Sequence, residues 1–207
     1  AFICDRAFYE CHRLKTVQIP KSVTSIGERA FAYCYGLEYI QIPDSVETIG
    51  DIAFKRCSFS SIKIPRSVVS FCIKPVHLLQ EVKEVDVSEN QNFVFVDGVL
   101  MDKGMTQIIY CHRSKSGSFN IPNTVTTICA DAFGGCKKLT SITIPDSVKE
   151  IGKGAFHWCV SLTSVVIPGS ITVIKKCAFS ACVKLTSVTI PDSVKEGMKC
   201  FFFVAMN

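Results

Sequence analysis

The 207-residue sequence has no uninterrupted apolar run near the ~20 residues that a membrane-spanning helix needs. Its first residues also lack the charged start and the small-residue cleavage site of a signal peptide. Basic residues are scattered and the net charge is only +5, so the electrostatic footprint of a nucleic-acid-binding protein is absent. These absences predict a chain with no membrane span and no nucleic-acid partner.

Motifs of catalysis and metal binding are missing as well. There is no G-x-S-x-G elbow, no H-E-x-x-H, no Walker A loop and no G-x-G-x-x-G in a strand-to-helix context. Cys11-His12 and Cys111-His112 are adjacent pairs, but structural zinc needs four ligands at short spacing, and the chain has no C-x-x-C pair. We therefore expect no catalytic residue, no enzyme activity, no metal and no cofactor.

What the chain does have is a repeated motif, I-P-x-S-V-x-x-I-G-x-x-A-F-x-x-C-x-x-L, with a period of about 23 residues. A period of this length marks one supersecondary unit stacked on copies of itself, and therefore predicts a repeat solenoid. Three columns run in phase: Ile-Pro pairs at 19–20, 42–43, 64–65, 121–122, 144–145, 167–168 and 190–191; Phe8, Phe31, Phe54, Phe133, Phe156, Phe179 and Phe202; Cys11, Cys34, Cys57, Cys136, Cys159 and Cys182.

The spacing within one repeat predicts its local structure. Leu139, Ile142 and Ile144 have the L-x-x-I-x-I pattern of a short leucine-rich repeat strand that sends alternate side chains inward. Proline then ends the strand, Val148 and Ile151 point back into the core, and a short helical turn carries the phenylalanine and cysteine columns. We expect eight such strands, roughly 4.8 Å apart, in a parallel sheet along one concave wall.

The chain is expected to form a single solenoid domain over residues 1–207. Repeats cover residues 1–87, the last of them degenerate, and residues 118–207. Residues 88–117 are an insertion and read as a small β-meander, because Phe93-Val96 and Val99-Met101 flank Asp97-Gly98, a dipeptide suited to a two-residue hairpin turn. A third strand is expected near Thr106-Tyr110.

Twelve cysteines suggest a disulfide framework at first, yet six of them occupy one inward-facing column. Neighbouring members of the column lie within reach of a disulfide, but free buried cysteine also packs as a small hydrophobe. We favour a ladder of free thiols over a set of bridges.

Binding residues are expected on the surface, at strand positions that lie between the inward columns. The N-terminal half offers charged, aromatic and long polar groups there, which anchor interfaces better than the serines and threonines of the C-terminal half. The candidates on the concave wall are Lys15, Gln18, Glu38, Tyr39, Gln41, Lys63, Lys83, Glu84 and Asp86. A second hypothesis places contacts on the insertion, at Phe93, Phe95 and Tyr110; alternatively, these aromatics pack as the core of the meander.

The run from Ile144 to Gly152, followed by Ala155-Phe156 and by Cys159 to Leu162, closely resembles the BspA-like class of leucine-rich repeat proteins. The resemblance extends over nearly the whole chain, including the Asp97-Gly98 insertion. It implies a cell-surface or secreted protein that adheres to host matrix proteins or to other cells, and it implies no cofactor.

Two functions therefore remain open. The first is an adhesin-type module that binds an extracellular-matrix or cell-surface protein. The second is an intracellular scaffold, which the abundant cysteine and the absence of any N-x-S/T glycosylation sequon favour. End-to-end self-association through Phe201 to Phe203 is a further expectation.

Overall fold

The structure, a computed structural model, describes residues 1–71, 82 and 84–195, and these residues divide into two units, one up to residue 95 and the other from residue 96 onward. The described residues form β-strands and turns, and none of these residues belongs to a helix, so no membrane-spanning helix is found among them. The strands are β1 Phe2–Ile3, β2 Ser25–Ile26, β3 Thr48–Ile49, β4 Ser61–Lys63, β5 Ser70–Phe71, β6 Glu84–Asp86, β7 Phe93–Val96, β8 Val99–Asp102, β9 Gln107–Cys111, β10 Ser116–Asn120, β11 Thr127–Ile128, β12 Lys138–Thr143, β13 Glu150–Ile151, β14 Ser164–Val166, β15 Val173–Ile174 and β16 Ser187–Thr189.

The first unit contains two parallel ladders. One has the order β1-β2-β3-β5, in which each strand contributes two residues. The other consists of β4 paired with β6, and the same repeat position forms an isolated parallel bridge between Gln18 and Gln41. Each repeat therefore contributes twice to the stack, once before its Ile-Pro pair and once after it.

The second unit repeats this arrangement. Strands β10-β12-β14-β16 form one parallel ladder, with Ser141 opposite Ser164 and Ser164 opposite Ser187, one period of 23 residues apart. The other ladder runs β15-β13-β11-β9-β8, with β7 at its edge, and β8 pairs with β9 in antiparallel orientation. The predicted repeat solenoid with parallel strands is confirmed.

The second ladder of each repeat was not predicted. The sequence places Val148 and Ile151 in the core, and both are fully buried. However, Ile151 also pairs with Ile128 on one side and with Ile174 on the other. Because these strands are only two residues long, they show no alternation that sequence reading can recognise.

The motif I-P-x-S-V forms a tight turn that is bonded to the previous repeat. The amide of Val148 donates to the carbonyl oxygen of Pro145 at 3.1 Å, which closes the turn. The hydroxyl of Ser170 donates to the carbonyl oxygen of Val148 in the preceding repeat at 2.9 Å, and Ser193 donates in the same way to Ile171 at 2.7 Å. The serine of the motif thus stabilises the stacking of repeats.

The expected short helical turn is a series of tight turns instead. Every second backbone amide of this segment donates to a carbonyl oxygen of the next repeat. The amide of Asp131 donates to Lys153 at 2.8 Å, and that of Phe133 donates to Ala155 at 2.7 Å. The intervening amides bond three residues back, as Gly134 does to Asp131 at 2.8 Å. A helix would keep these hydrogen bonds within the segment, so bonding to the next repeat prevents helix formation.

The core is built from the phenylalanine column. Successive rings stack almost in parallel, with centroids 5.0 Å apart for Phe133 and Phe156 and 5.0 Å apart for Phe156 and Phe179. Phe8, Phe31 and Phe54 stack similarly in the first unit, at 5.0 Å and 5.5 Å. In the degenerate repeat, Val68, Val82, Val85 and Val87 are buried as well.

The insertion contains the predicted hairpin. Asp97 and Gly98 have positive φ values of 50° and 76° and turn the chain from β7 into β8, as a two-residue turn requires. Strand β9 completes the meander and also pairs in parallel with β11, while β10 pairs with β12. Residues 107–120 thus belong to the two ladders of the second unit.

Candidate functional site

The strand positions predicted to face outward in the first unit are exposed. Strands β4 and β6 alternate exposed, buried and exposed, so that Ile62 and Val85 enter the core and their neighbours do not. Tyr39 is 63% exposed, an unusual value for a large aromatic ring. We call the exposed set the strand face; it comprises Lys15, Gln18, Glu38, Tyr39, Gln41, Lys63, Glu84 and Asp86. Lys83, the remaining candidate, lies outside the described residues.

The ladder brings several of these residues next to each other. Gln18 is bridged to Gln41, and Lys63 lies opposite Asp86 in the pairing of β4 with β6. The ammonium of Lys63 also donates to a carboxylate oxygen of Glu89 at 2.7 Å. The face therefore carries a row of amides at one end and a group of opposite charges at the other.

Hydrogen bonding keeps these charges in place at neutral pH. The bond to Glu89 raises the pKa of Lys63, so its ammonium remains protonated. Hydrogen bonds from the hydroxyl and the amide of Ser88 lower the pKa of Asp86, so its carboxylate remains ionised. A partner would meet these charges on the strand face in addition to the exposed ring of Tyr39.

Two of the three aromatics on the insertion do not reach the surface. Phe93 is 5% exposed and Tyr110 is fully buried, whereas Phe95 is half-buried. Strand β9 sends Ile108 and Tyr110 to the same side, where both enter the core. Burial is also the main reason that the pKa of the Tyr110 hydroxyl is raised.

The corresponding face of the second unit carries mainly serine and threonine side chains. Ser141, Ser164 and Ser187 follow one another in register. The hydroxyl of Thr163 donates to the carbonyl oxygen of Thr140 at 3.2 Å, so its hydrogen is used within the protein. This face offers a partner few groups of the kind that anchor interfaces.

The cysteines are structural. All ten cysteines among the described residues are free thiols, and Cys34, Cys57, Cys136, Cys159 and Cys182 of the column are buried. Each of these five thiols donates a hydrogen bond to a backbone carbonyl in the preceding repeat. No group of three or more histidine, cysteine or acidic side chains is arranged to hold a metal ion in the described part of the chain.

Sequence reasoning missed one feature of the surface. Four aromatic rings of the first unit contact one another at the turns that follow the phenylalanine column, two pairs in T-shaped and one pair in stacked geometry. We call this set the aromatic corner; it comprises Tyr9, His12, Tyr33 and Tyr35. An alignment of the repeats would have revealed it, because aromatics gather between one and four residues after Phe8 and Phe31 and are absent after Phe54.

Comparison with known proteins agrees with this architecture. The sequence matches the family described as BspA type leucine rich repeat region, in six copies, over residues 1–96 and 106–206. No curated protein matches the chain.

Several solved structures are similar. A leucine-rich repeat protein from Eubacterium ventriosum has 27% identity and a TM-score of 0.80, over 90% of this chain and 56% of that protein. The pneumococcal vaccine antigen PcpA has 28% identity and a TM-score of 0.82, over 94% and 49%. A leucine rich cell surface protein from Faecalibacterium prausnitzii has 28% identity and a TM-score of 0.69, over 93% and 64%.

The chain thus spans between 49% and 64% of the length of these three proteins. The family match covers nearly all of the sequence and leaves out only residues 97–105 and residue 207. The stacked repeats, the two parallel ladders and these similarities lead to one assignment: the chain belongs to the BspA-type leucine-rich repeat family.

Proposed function

We propose that this chain is a non-enzymatic, adhesin-type binding module of a cell-surface or secreted protein. It engages an extracellular-matrix or cell-surface protein through the strand face of the first unit, with the insertion as a second contact region. The observation that carries the proposal is the 63% exposure of Tyr39 on the strand face, which also carries the bridged amides of Gln18 and Gln41 and several charged side chains.

The chemistry of the strand face supports a protein ligand. Tyrosine provides a large, rigid contact area with a polar end, and it is one of the residue types that dominate binding energy at protein interfaces. Gln41 provides an amide two residues further along the chain, and Lys63 and Asp86 provide the charges that set orientation and association rate. The serine and threonine face of the second unit lacks this combination.

The relatives support the location. One similar structure is a pneumococcal vaccine antigen, and another is a leucine rich cell surface protein. Within the insertion, Val96 is 50% exposed at the end of β7, next to the turn, so a contact there would involve the hairpin tip rather than Phe93 or Tyr110.

The test is a binding screen of the purified chain on immobilised fibronectin, fibrinogen, laminin and collagen. We expect saturable binding to at least one of them, weakened by Tyr39→Ala and unchanged by Thr143→Ala, a matched substitution at an exposed strand position of the second unit. Deletion of residues 97–98 should weaken binding only if the hairpin tip takes part. An empty screen contradicts the adhesin proposal.

A second function, an intracellular protein-binding scaffold, is favoured by one observation. All ten cysteines among the described residues are free thiols, which is typical of proteins from reducing compartments. Labelling of thiols on intact source cells with a membrane-impermeant maleimide distinguishes the adhesin from the scaffold. Labelling of the exposed Cys4 and Cys11 on intact cells supports the surface location, and labelling only after lysis supports the scaffold.

A further inference from the structure

The rings of the aromatic corner form one continuous contact chain. The centroids of Tyr9 and Tyr33 are 5.6 Å apart with an interplanar angle of 75°, and those of Tyr33 and Tyr35 are 6.2 Å apart at 78°. His12 stacks on Tyr35 at 5.1 Å. Tyr9 is 38% exposed and Tyr35 is 49% exposed, so the corner is accessible to a partner.

The backbone under this corner adopts the left-handed conformation that this turn position also has at Glu10, Arg56 and Ala181. Tyr33 has a φ of 64°, a left-handed conformation that bulky side chains rarely adopt. The same repeat position is occupied by Gly135 and by Ala181 in the second unit, which shows that small residues satisfy the turn. The fold therefore sets the positive φ, and what distinguishes Tyr33 is the large ring that it places on this exposed turn.

Trp158 repeats the pattern in the second unit. It occupies the position that corresponds to Tyr33, has a φ of 61° and is 51% exposed. Lys137 lies with its ammonium 5.8 Å from the centroid of the indole ring. Two large aromatics at positive φ, each beside a lysine, are an independent sign that this turn position presents rings to a partner.

Two cations lie at the corner, at Lys55 and Arg56. The ammonium of Lys55 lies 5.9 Å from the centroid of the Tyr33 ring, and Arg56 is exposed at the next position of the Tyr33 column. Among the described residues, neither cation has a carboxylate within ion-pair distance. Glu10, the acid of the same column, is engaged by the Tyr9 side chain, and this hydrogen bond is the largest cause of the raised pKa of Tyr9.

We propose that the aromatic corner, together with Lys55 and Arg56, is a second docking surface that binds an acidic, extended segment of a partner protein. Carboxylates of the segment pair with the two cations, and apolar side chains between them pack against the ring edges. The perpendicular rings do not offer the coplanar platform on which sugar rings stack, so a protein segment fits better than a glycan. This surface lies on the turns and is separate from the strand face of the proposed function.

The test is fluorescence anisotropy with a labelled peptide in which glutamate alternates with leucine and phenylalanine; a peptide with lysine in place of each glutamate is the comparison. We expect saturable binding of the acidic peptide only, weakened roughly tenfold by Tyr35→Ala and by Lys55→Glu. Tyr33→Gly should weaken binding while the melting temperature stays the same or rises, because glycine relieves the positive φ. Ala181→Gly, the matched substitution in the second unit, should leave binding unchanged.

Several results would overturn the proposal. These are the absence of saturable binding, equal binding of the two peptides, and unchanged binding by Tyr35→Ala and Lys55→Glu variants that circular dichroism shows to be folded. Competition by a neutral oligosaccharide would assign the corner to a glycan instead. If Tyr39→Ala weakens peptide binding as strongly as Tyr35→Ala, the peptide occupies the strand face, and the corner has no separate role.

Discussion

The thiol of Cys159 donates a hydrogen bond to the carbonyl oxygen of Phe133, and the two atoms are 3.1 Å apart. Phe133 precedes the cysteine of its own repeat by three residues, so each bond joins one repeat to the preceding one. The same bond joins Cys57 to Phe31 at 3.2 Å and Cys182 to Phe156 at 3.1 Å. The cysteine column is therefore a ladder of hydrogen-bond donors and not only a row of small apolar side chains.

Replacing a member of this ladder should destabilise the fold. In Cys159→Ala, the Phe133 carbonyl keeps its bond from the Cys136 amide at 3.0 Å but loses the thiol, and a small cavity remains. We expect the free energy of unfolding to fall by about 1–2 kcal/mol in urea denaturation. Cys4→Ala, at an exposed cysteine, is the control and should change stability little. Equal effects of the two substitutions would contradict a structural role for the ladder.

Buried thiols should make stability fall at alkaline pH. Burial raises the pKa of Cys57 from 9.0 to about 12, with a smaller contribution from Cys34. Between these values the unfolded chain releases the proton and the folded chain keeps it, so ionisation favours unfolding as the pH rises.

Cys57→Ala isolates this effect from other groups that titrate in the same range. The stability difference between wild type and Cys57→Ala should shrink from pH 9.0 upward, by at most about 1.4 kcal/mol per pH unit. Guanidinium denaturation at several pH values measures this difference. A difference that stays constant over this range would show that Cys57 titrates normally in the folded chain.

Gly152 is required by the close approach of neighbouring repeats. A Cβ atom at this position would lie 2.6 Å from the amide nitrogen of Ala130, a backbone atom that cannot move aside. Gly152→Ala should therefore destabilise the chain by several kcal/mol or prevent folding. At Gly169, a Cβ atom would meet nothing within 4 Å, so Gly169→Ala is the matched control. Thermal melting by circular dichroism should separate the two, and similar melting temperatures would contradict the packing described here.

The left-handed turn positions provide a stabilising substitution. Ala181 has a φ of 58° and is half-buried, so glycine relieves the backbone without removing a large side chain. Ala181→Gly should raise the free energy of unfolding by about 0.5–1 kcal/mol. Lys184→Gly, at a position without positive φ, should lower it. A decrease in both variants would mean that Ala181 does not adopt the left-handed conformation in solution.

Much of the fold is predictable from the sequence because the same structural motif recurs several times along the chain. The secondary structure of one repeat taken alone is ambiguous, but Phe133, Phe156 and Phe179 recur at a fixed period that the stacking of repeats explains. The two-residue ladder and the left-handed turns could not be predicted, because they depend on amides such as that of Asp131, which bonds to the next repeat. Backbone hydrogen bonds between repeats do not depend on side-chain identity and so leave no local pattern in the sequence.

The candidate site is less predictable. Exposure of the strand positions follows from alternation, and Tyr39 is exposed as the pattern indicates. The complete burial of Tyr110 could not be inferred from the sequence, because strand β9 belongs both to the meander and to the ladder of the second unit. An alignment of the repeats shows the aromatics of the corner, but how the rings meet depends on the positive φ of Tyr33, which nothing in the residue type suggests.

The most direct test of the proposed function is a paired titration of wild type and Tyr39→Ala against the matrix protein that binds the wild-type chain most tightly. Biolayer interferometry with the same immobilised protein gives both dissociation constants, and circular dichroism verifies that the variant is folded. We predict saturable wild-type binding and a dissociation constant at least about tenfold higher for Tyr39→Ala. Equal dissociation constants for the two chains would contradict a role for the strand face.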